Sequence, residues 1–160
     1  MIPTIHFCYD KKQVVQALRY HFLTRPEIKI LLIMVNVFAI MSAVLFAFSK
    51  IQPMAFLLFS SLWFLLMLCI WIVLPRSIYR KAHTFQDDFS MSFQEDEIIL
   101  KNELGSKTWP WKAFSKFLES PNFFHLYFDS RSFFLVPKDA FKDITQLQNT
   151  RKLLKEKIRP

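Results

Sequence analysis

Hydrophobic and polar positions follow three patterns along this chain, and each predicts a different kind of element. Residues 30–49 (ILLIMVNVFAIMSAVLFAFS) and 53–74 (PMAFLLFSSLWFLLMLCIWIVL) show no period at all, and neither contains a charge over 20 and 22 residues. A helix rises about 1.5 Å per residue, so each run can cross a hydrocarbon core of about 30 Å. A core helix of a soluble protein keeps a polar face, which both runs lack, and both are read as transmembrane helices. Only Lys50, Ile51 and Gln52 lie between them, which forces an antiparallel hairpin. Pro26 precedes the first helix, Pro53 stands in the first turn of the second and Pro75 is expected to end it, because proline cannot continue a helix but costs nothing in a first turn.

Outside these runs the pattern becomes periodic. Residues 4–9 (TIHFCY) alternate like a short strand. Asp10 can cap a helix over residues 11–23, whose stripe of Val14, Val15, Leu18 and Phe22 recurs at helical spacing. Arg19 lies off that stripe, and Tyr20 and His21 fall near the expected headgroup level. This amphipathic segment either lies on the membrane or packs on the soluble domain. From residue 83 onward, six aromatic-rich runs are separated by turn residues: Phe89, Met91 and Phe93 alternating with Ser90, Ser92 and Gln94, then 97–102, 107–111, 114–118, 123–128 and 132–136. Turns are expected at 102–106, 120–122 and 129–131, and Gly105 is the expected site of a positive φ. A helix is predicted over 137–159, with Pro137 in its first turn, Asp143 and Gln146 as a second cap, and Phe141, Ile144, Leu147, Leu154 and Ile158 on one face. An antiparallel meander closed by one C-terminal helix is the outline of a small pleckstrin-homology-like β-domain. The fold class is therefore α+β, in three parts: an N-terminal strand and amphipathic helix (1–27), a membrane hairpin (28–75) and a cytosolic β-domain (83–160).

Charge changes the picture at one point. Twenty-one Lys and Arg face 13 Asp and Glu, a formal net charge of +8, which invites a nucleic-acid reading. Residues 1–82 hold nine cations and two acids, whereas residues 83–160 hold twelve and eleven. The excess thus flanks the hairpin and leaves the soluble part nearly neutral, so no nucleic-acid partner is expected. Lys11, Lys12, Arg19, Arg25 and Lys29 precede the first helix, and Arg76, Arg80 and Lys81 follow the second. Lys50 stands alone in the loop. The positive-inside rule then puts both termini in the cytoplasm. Arg76, Arg80 and Lys81 are also candidates for contact with anionic lipid. The cations near the C-terminus, Lys152, Lys155, Lys157 and Arg159, suit the helix dipole. No signal peptide is apparent, because the first apolar run starts late and is long.

Within the hairpin the polar side chains are few. Depth counting places Ser42 level with Ser60 and Ser61, which predicts an interhelical hydrogen bond. Asn36 has no side-chain partner at its depth. A helix carbonyl accounts for it, and the sharper alternative is a pair with Asn36 of a second copy.

Two short motifs carry a family resemblance. Residues 111–114 (WKAF) and 133–141 (FFLVPKDAF), set after a strand, an amphipathic helix and a two-helix hairpin, resemble the YcxB-like bacterial membrane proteins over essentially the whole chain. The resemblance implies a multi-pass inner (plasma) membrane protein with a cytosolic domain, and it implies no established activity.

Candidate chemistry is sparse. A single glycine excludes glycine-rich phosphate loops, which need at least two. Cys8 and Cys69 are far apart, and His6, His21, His83 and His125 are scattered, so neither a disulfide scaffold nor a metal or other cofactor is expected. Asp87–Asp88 and the acidic cluster at 95–97 sit in turn-like settings that do not favour a general acid. His125 lies in an aromatic strand, where a buried or sheet-surface histidine is the simpler account than a catalytic base. Trp109, Trp111, Phe123, Phe124, Tyr127, Phe133 and Phe134 could stack bases, but aromatics at strand spacing are more often core. The expectation is a non-enzymatic membrane protein holding a pleckstrin-homology-like domain for protein or lipid interaction, with membrane lipids and a protein or second copy as partners. The alternative is an accessory subunit of a membrane transporter or enzyme complex.

Overall fold

The computed structural model describes residues 4–130 and 132–158, with the side chains of His83 and Gln86 left aside. The chain divides into two compact units, residues 1–17 with 83–160, and residues 18–82.

In the first unit, strand β1 (Thr4–Phe7) pairs antiparallel with β2 (Phe89–Phe93), which pairs with β3 (Glu97–Asn102), which pairs with β4 (Gly105–Pro110). Period-two patterning explains the register. Ile5, Met91 and Leu100 form one row across the sheet, and Phe93, Ile98 and Trp109 another. Ile5, Met91, Phe93 and Ile98 are at most 2% exposed. Fully burying each such side chain is worth about 1.5–3 kcal/mol. A second sheet holds β5 (Lys116–Glu119), β6 (Phe123–Tyr127) and β7 (Phe133–Pro137) in that order, all antiparallel. Phe124 and Leu126 of β6 face the shared core with Val136 and Phe134 of β7 opposite them. Phe123, His125 and Tyr127 point the other way, and that face is buried too.

Three expectations are corrected here. The meander is two sheets, not one. Pro110 ends β4, and the next residues, Trp111–Ala113, form a 3₁₀ turn instead of a strand end. The indole of Trp111 donates to the carbonyls of Gln94 and Glu95, both at 3.1 Å, and its ring stacks on Phe93, so a buried tryptophan pins the break. Pro137 is the last residue of β7, paired with Phe123, and does not open a helix. Helix α5 (Ile144–Lys157) starts later, at the Asp143 cap, whose Oδ1 accepts from the Gln146 N–H at 2.6 Å. Its buried face carries Thr150, Leu154 and Ile158, together with Phe141 ahead of the helix, but Ile144 is 73% exposed because it sits in the first turn, before the face meets the core. Two further expectations fall on Arg131 and Arg159, which lie outside the described residues.

Gly105 has φ +149°, where a Cβ would be strained, and it opens β4 after the two-residue loop Glu103–Leu104. The Asn102 Oδ1 accepts from the Leu104 N–H at 3.2 Å.

Helix α1 (Lys11–Thr24) begins at the Asp10 cap, whose Oδ1 accepts from the Gln13 N–H at 2.9 Å. Val14, Val15, Ala17, Leu18 and Phe22 are buried, as is His21. Within the first unit, Gln13 donates to Asp139, and Asn122 donates to Gln16. The start of α1 is thus packed on the β-domain, which settles the choice left open for this part of the amphipathic stripe.

The second unit contains α2 (Pro26–Ala47) and α3 (Pro53–Leu68), which pack on each other with Phe46 and Phe56 stacked 4.5 Å apart. Helix α2 starts at Pro26 itself, four residues ahead of the apolar run. Arg25 is extended, as a residue before proline must be, and Glu27 suits the positive end of the dipole. Its C-terminus closes by a Schellman arrangement: Lys50 N–H bonds the Leu45 carbonyl and Ser49 N–H the Phe46 carbonyl, both at 2.9 Å, with Ser49 left-handed at φ +54°.

The expected stop at Pro75 does not occur. Helix α3 runs on through a π-helical turn (Cys69–Val73) into α4 (Leu74–Lys81). Pro75 offers no N–H to the Trp71 carbonyl four residues back. The turn widens so that Leu74 N–H bonds Cys69, and the Nε of Arg19 donates to the Trp71 carbonyl at 2.9 Å. The Arg19 guanidinium also lies 5.9 Å from the centre of the Trp71 ring. A cation therefore stands in for the missing backbone donor.

Candidate functional site

Helices Pro26–Ala47 and Pro53–Lys81 are long and apolar enough to cross a membrane, and only 6% and 0% of their most apolar windows are buried. Such helices leave their side chains outward: Ile33, Ile40 and Leu58 are 64%, 64% and 66% exposed.

The polar residues of these helices are not spread evenly. Asn36, Ser42 and Ser60 line one groove of about 540 Å³ between α2 and α3, together with Ala39, Ala43 and Trp63. Asn36 Nδ2 donates to the Leu32 carbonyl at 2.7 Å, so the helix-carbonyl account of Asn36 holds. The expected bond from Ser42 to Ser60 or Ser61 is absent: Ser42 Oγ is buried without a partner among the described residues, and Ser61 is exposed. Depth counting puts residues at one level but leaves the rotation of each helix undetermined, and a serine side chain is too short to correct for it. Trp63 Nε1, on the same groove, is likewise buried without a partner. Sequence reasoning passed over Trp63 because it counted only the residues usually classed as polar.

Arg76, Arg80 and Lys81 are all exposed on α4. With Ile72, Val73 and Ser77 they line an open groove of about 570 Å³. Positions 72, 76 and 80 are successive helical turns, as are 73, 77 and 81, so two apolar residues, a hydroxyl and three cations share one side of the helix.

The β-domain uses its chemistry-bearing side chains for structure. Trp111, Phe123, Phe124, Tyr127 and Phe134 are at most 8% exposed, so their ring faces are not offered to bases. His125 is fully buried, with Nε2 2.9 Å from Ser120 Oγ and its ring stacked beside Tyr127. Tyr9 Oη donates to the Leu135 carbonyl at 2.6 Å, and burial holds its hydroxyl well above the usual tyrosine range. Glu119 receives Arg151 through two nitrogens, the closest contact at 2.6 Å, and Lys138 at 2.7 Å. Burial pushes its carboxyl up, but the hydrogen bonds and charges of Arg151 and Lys138 outweigh that and leave it below the usual glutamate range. Lys138 and Arg151 also lie over the Phe124 ring, so the cluster ties β5, the turn after β7 and α5 together.

His6, Cys8, Asp88, Lys101 and Glu103 line a shallow groove of about 560 Å³ at one end of the four-stranded sheet. Among the described residues, no three of His, Cys, Asp and Glu come close enough together to hold a metal ion. Asp88, Glu95 and Asp96 are exposed, and Cys8 and Cys69 are both unbridged.

No curated protein and no solved structure matches this chain. Residues 93–154 match the family model described as YcxB-like protein, a span that contains both motifs, WKAF and FFLVPKDAF. The match runs from the end of β2 into α5 and does not extend to the apolar helices. Residues 93–154 of the chain are thus similar to the YcxB-like family.

Proposed function

We propose that this protein is a non-enzymatic bacterial inner-membrane module. The helices Pro26–Ala47 and Pro53–Lys81 cross the bilayer twice with both termini cytoplasmic, and the YcxB-like domain, pleckstrin-homology-like in outline, is presented there for interaction with lipid or protein. The observation that carries this is the exposure of the apolar windows, since only 6% and 0% of them are buried by the protein itself. Apolar area left open on this scale needs an apolar solvent. Two sheets of four and three strands followed by one helix support the domain reading. Because β1 and the start of α1 precede the hairpin in the chain and β2 follows it, the domain is tethered to it at both ends.

The Arg76, Ser77, Arg80 and Lys81 side of α4 gives the lipid arm its chemistry. Cations beside anionic headgroups contribute about 1 kcal/mol each. The full chain is to be purified in a neutral detergent and titrated with short-chain phosphatidylglycerol or phosphatidylcholine. Phosphatidylglycerol should bind more tightly, and Arg76→Ala/Arg80→Ala/Lys81→Ala should remove the preference, by up to about 100-fold at low salt. Equal binding of both lipids, or no change in the triple variant, removes the lipid arm. Reporter fusions at each terminus that read outside the cytoplasm would overturn the orientation.

A further inference from the structure

The groove between α2 and α3 presents an unusual set of groups for a face made of hydrocarbon side chains. Asn36 has spent one N–H on the Leu32 carbonyl, which leaves its second N–H and its Oδ1 uncommitted. Ser42 Oγ and Trp63 Nε1 are buried without a partner among the described residues. Ser60 lines the same 540 Å³ groove, and Ala39 and Ala43 keep its wall low. Polar groups of membrane helices normally face the interior of a bundle, because lipid tails cannot bond them and each unmet group is costly. Here the hairpin has only two helices, and the set lies on the groove between them.

We propose that this groove is the contact surface of a homodimer, with the occupant being the same groove of a second copy. This rests on the membrane reading above. An acyl chain fills the volume but satisfies none of the donors. The set is instead complementary to itself. Two copies inserted in the same orientation are related by an axis along the bilayer normal, so every residue meets its own depth. Asn36 then meets Asn36, and each amide gives its second N–H to the other's Oδ1, which closes a symmetric pair. The small side chains of Ala39 and Ala43 allow the backbones to approach.

The test uses the full chain with Cys8 and Cys69 changed to serine, reconstituted in bilayers. One new cysteine is added, either Ala43→Cys within the groove or Leu58→Cys outside it. Oxidation should link two copies through Ala43→Cys and leave Leu58→Cys monomeric. Without the added cysteine, single-molecule photobleaching should show a dimer that is about tenfold weaker in Asn36→Leu, since each of the two reciprocal interhelical bonds changes affinity by roughly threefold. Unchanged helical circular dichroism in that variant shows that the hairpin still folds. A wild-type chain that stays monomeric in the bilayer overturns the dimer alone, as does crosslinking at Leu58→Cys equal to that at Ala43→Cys, or equal association of the variant. A chain that alkaline carbonate strips from membranes overturns the membrane reading and the dimer with it.

Discussion

Phenylalanine occurs in both units of this protein, and the two populations behave in opposite ways. Phe93, Phe123 and Phe124 in the β-domain are 0%, 1% and 0% exposed, whereas Phe38, Phe59 and Phe64 in the apolar helices are 57%, 56% and 60% exposed. The side chain is the same, and what differs is who removes it from water. In the domain, alternation turns Phe93 and Phe124 to the shared core, and the opposite face of β6, with Phe123, is covered as well, so the chain buries its own apolar area. In the helices the apolar residues surround the whole circumference, and one neighbouring helix can cover only part of it. The hydrophobic term of the second unit is therefore left to the surroundings, which the proposed bilayer supplies.

That difference can be broken most directly by truncating one ring from each population. Phe93→Ala should destabilise the β-domain by about 3–5 kcal/mol, read by denaturant titration of the full chain in detergent with Trp111 fluorescence, because Phe93 stacks on that indole. Phe59→Ala should stay within about 0.5 kcal/mol in the same measurement. Comparable losses at both sites would mean that the helices bury their rings after all.

A smaller effect sharpens the comparison where the apolar helix leaves its regular geometry. Arg19→Leu removes the donor to the Trp71 carbonyl and should cost about 1.5 kcal/mol. Pro75→Ala restores the backbone N–H, so in that background the same change should cost less than half as much. Equal costs in a double-mutant cycle would show that Arg19 does not substitute for the proline.

The smallest effect lies on the β-domain surface. Glu119 has a lowered pKa, so its contribution to stability is present at neutral pH and is lost as pH falls through its depressed folded value. Glu119→Gln should therefore flatten the acid limb of the stability profile while costing under about 1 kcal/mol at neutral pH. A wild-type profile no steeper than that of the variant would remove the role given to the Arg151 and Lys138 pairs.

Much of the fold was legible because local signals agreed. The alternation of Phe89, Met91 and Phe93, the Asp10 and Asp143 caps, and Gly105 in its turn each rest on interactions spanning a few residues. The failures come from partners distant in sequence. Pro75 reads as a stop until Arg19 supplies a donor to the Trp71 carbonyl, 52 residues further along the chain. Trp111 reads as a strand end until its indole finds the carbonyls of Gln94 and Glu95. The candidate groove was half visible: Asn36, Ser42 and Ser60 were singled out, but their convergence depends on helix rotation, and Trp63 joins them only because its N–H is shut away from solvent.

The sequence by itself determined most of the elements, the charge-free runs and the cation asymmetry around them, because periodicity, capping and composition act within single segments. Only the tertiary structure decided that β1 belongs beside β2 across a gap of more than 80 residues, that the strands divide into two sheets, and that three polar side chains and an indole share one groove. Those outcomes depend on which faces meet. A segment's pattern specifies that a face is apolar or polar, and packing against the rest of the chain chooses its partner.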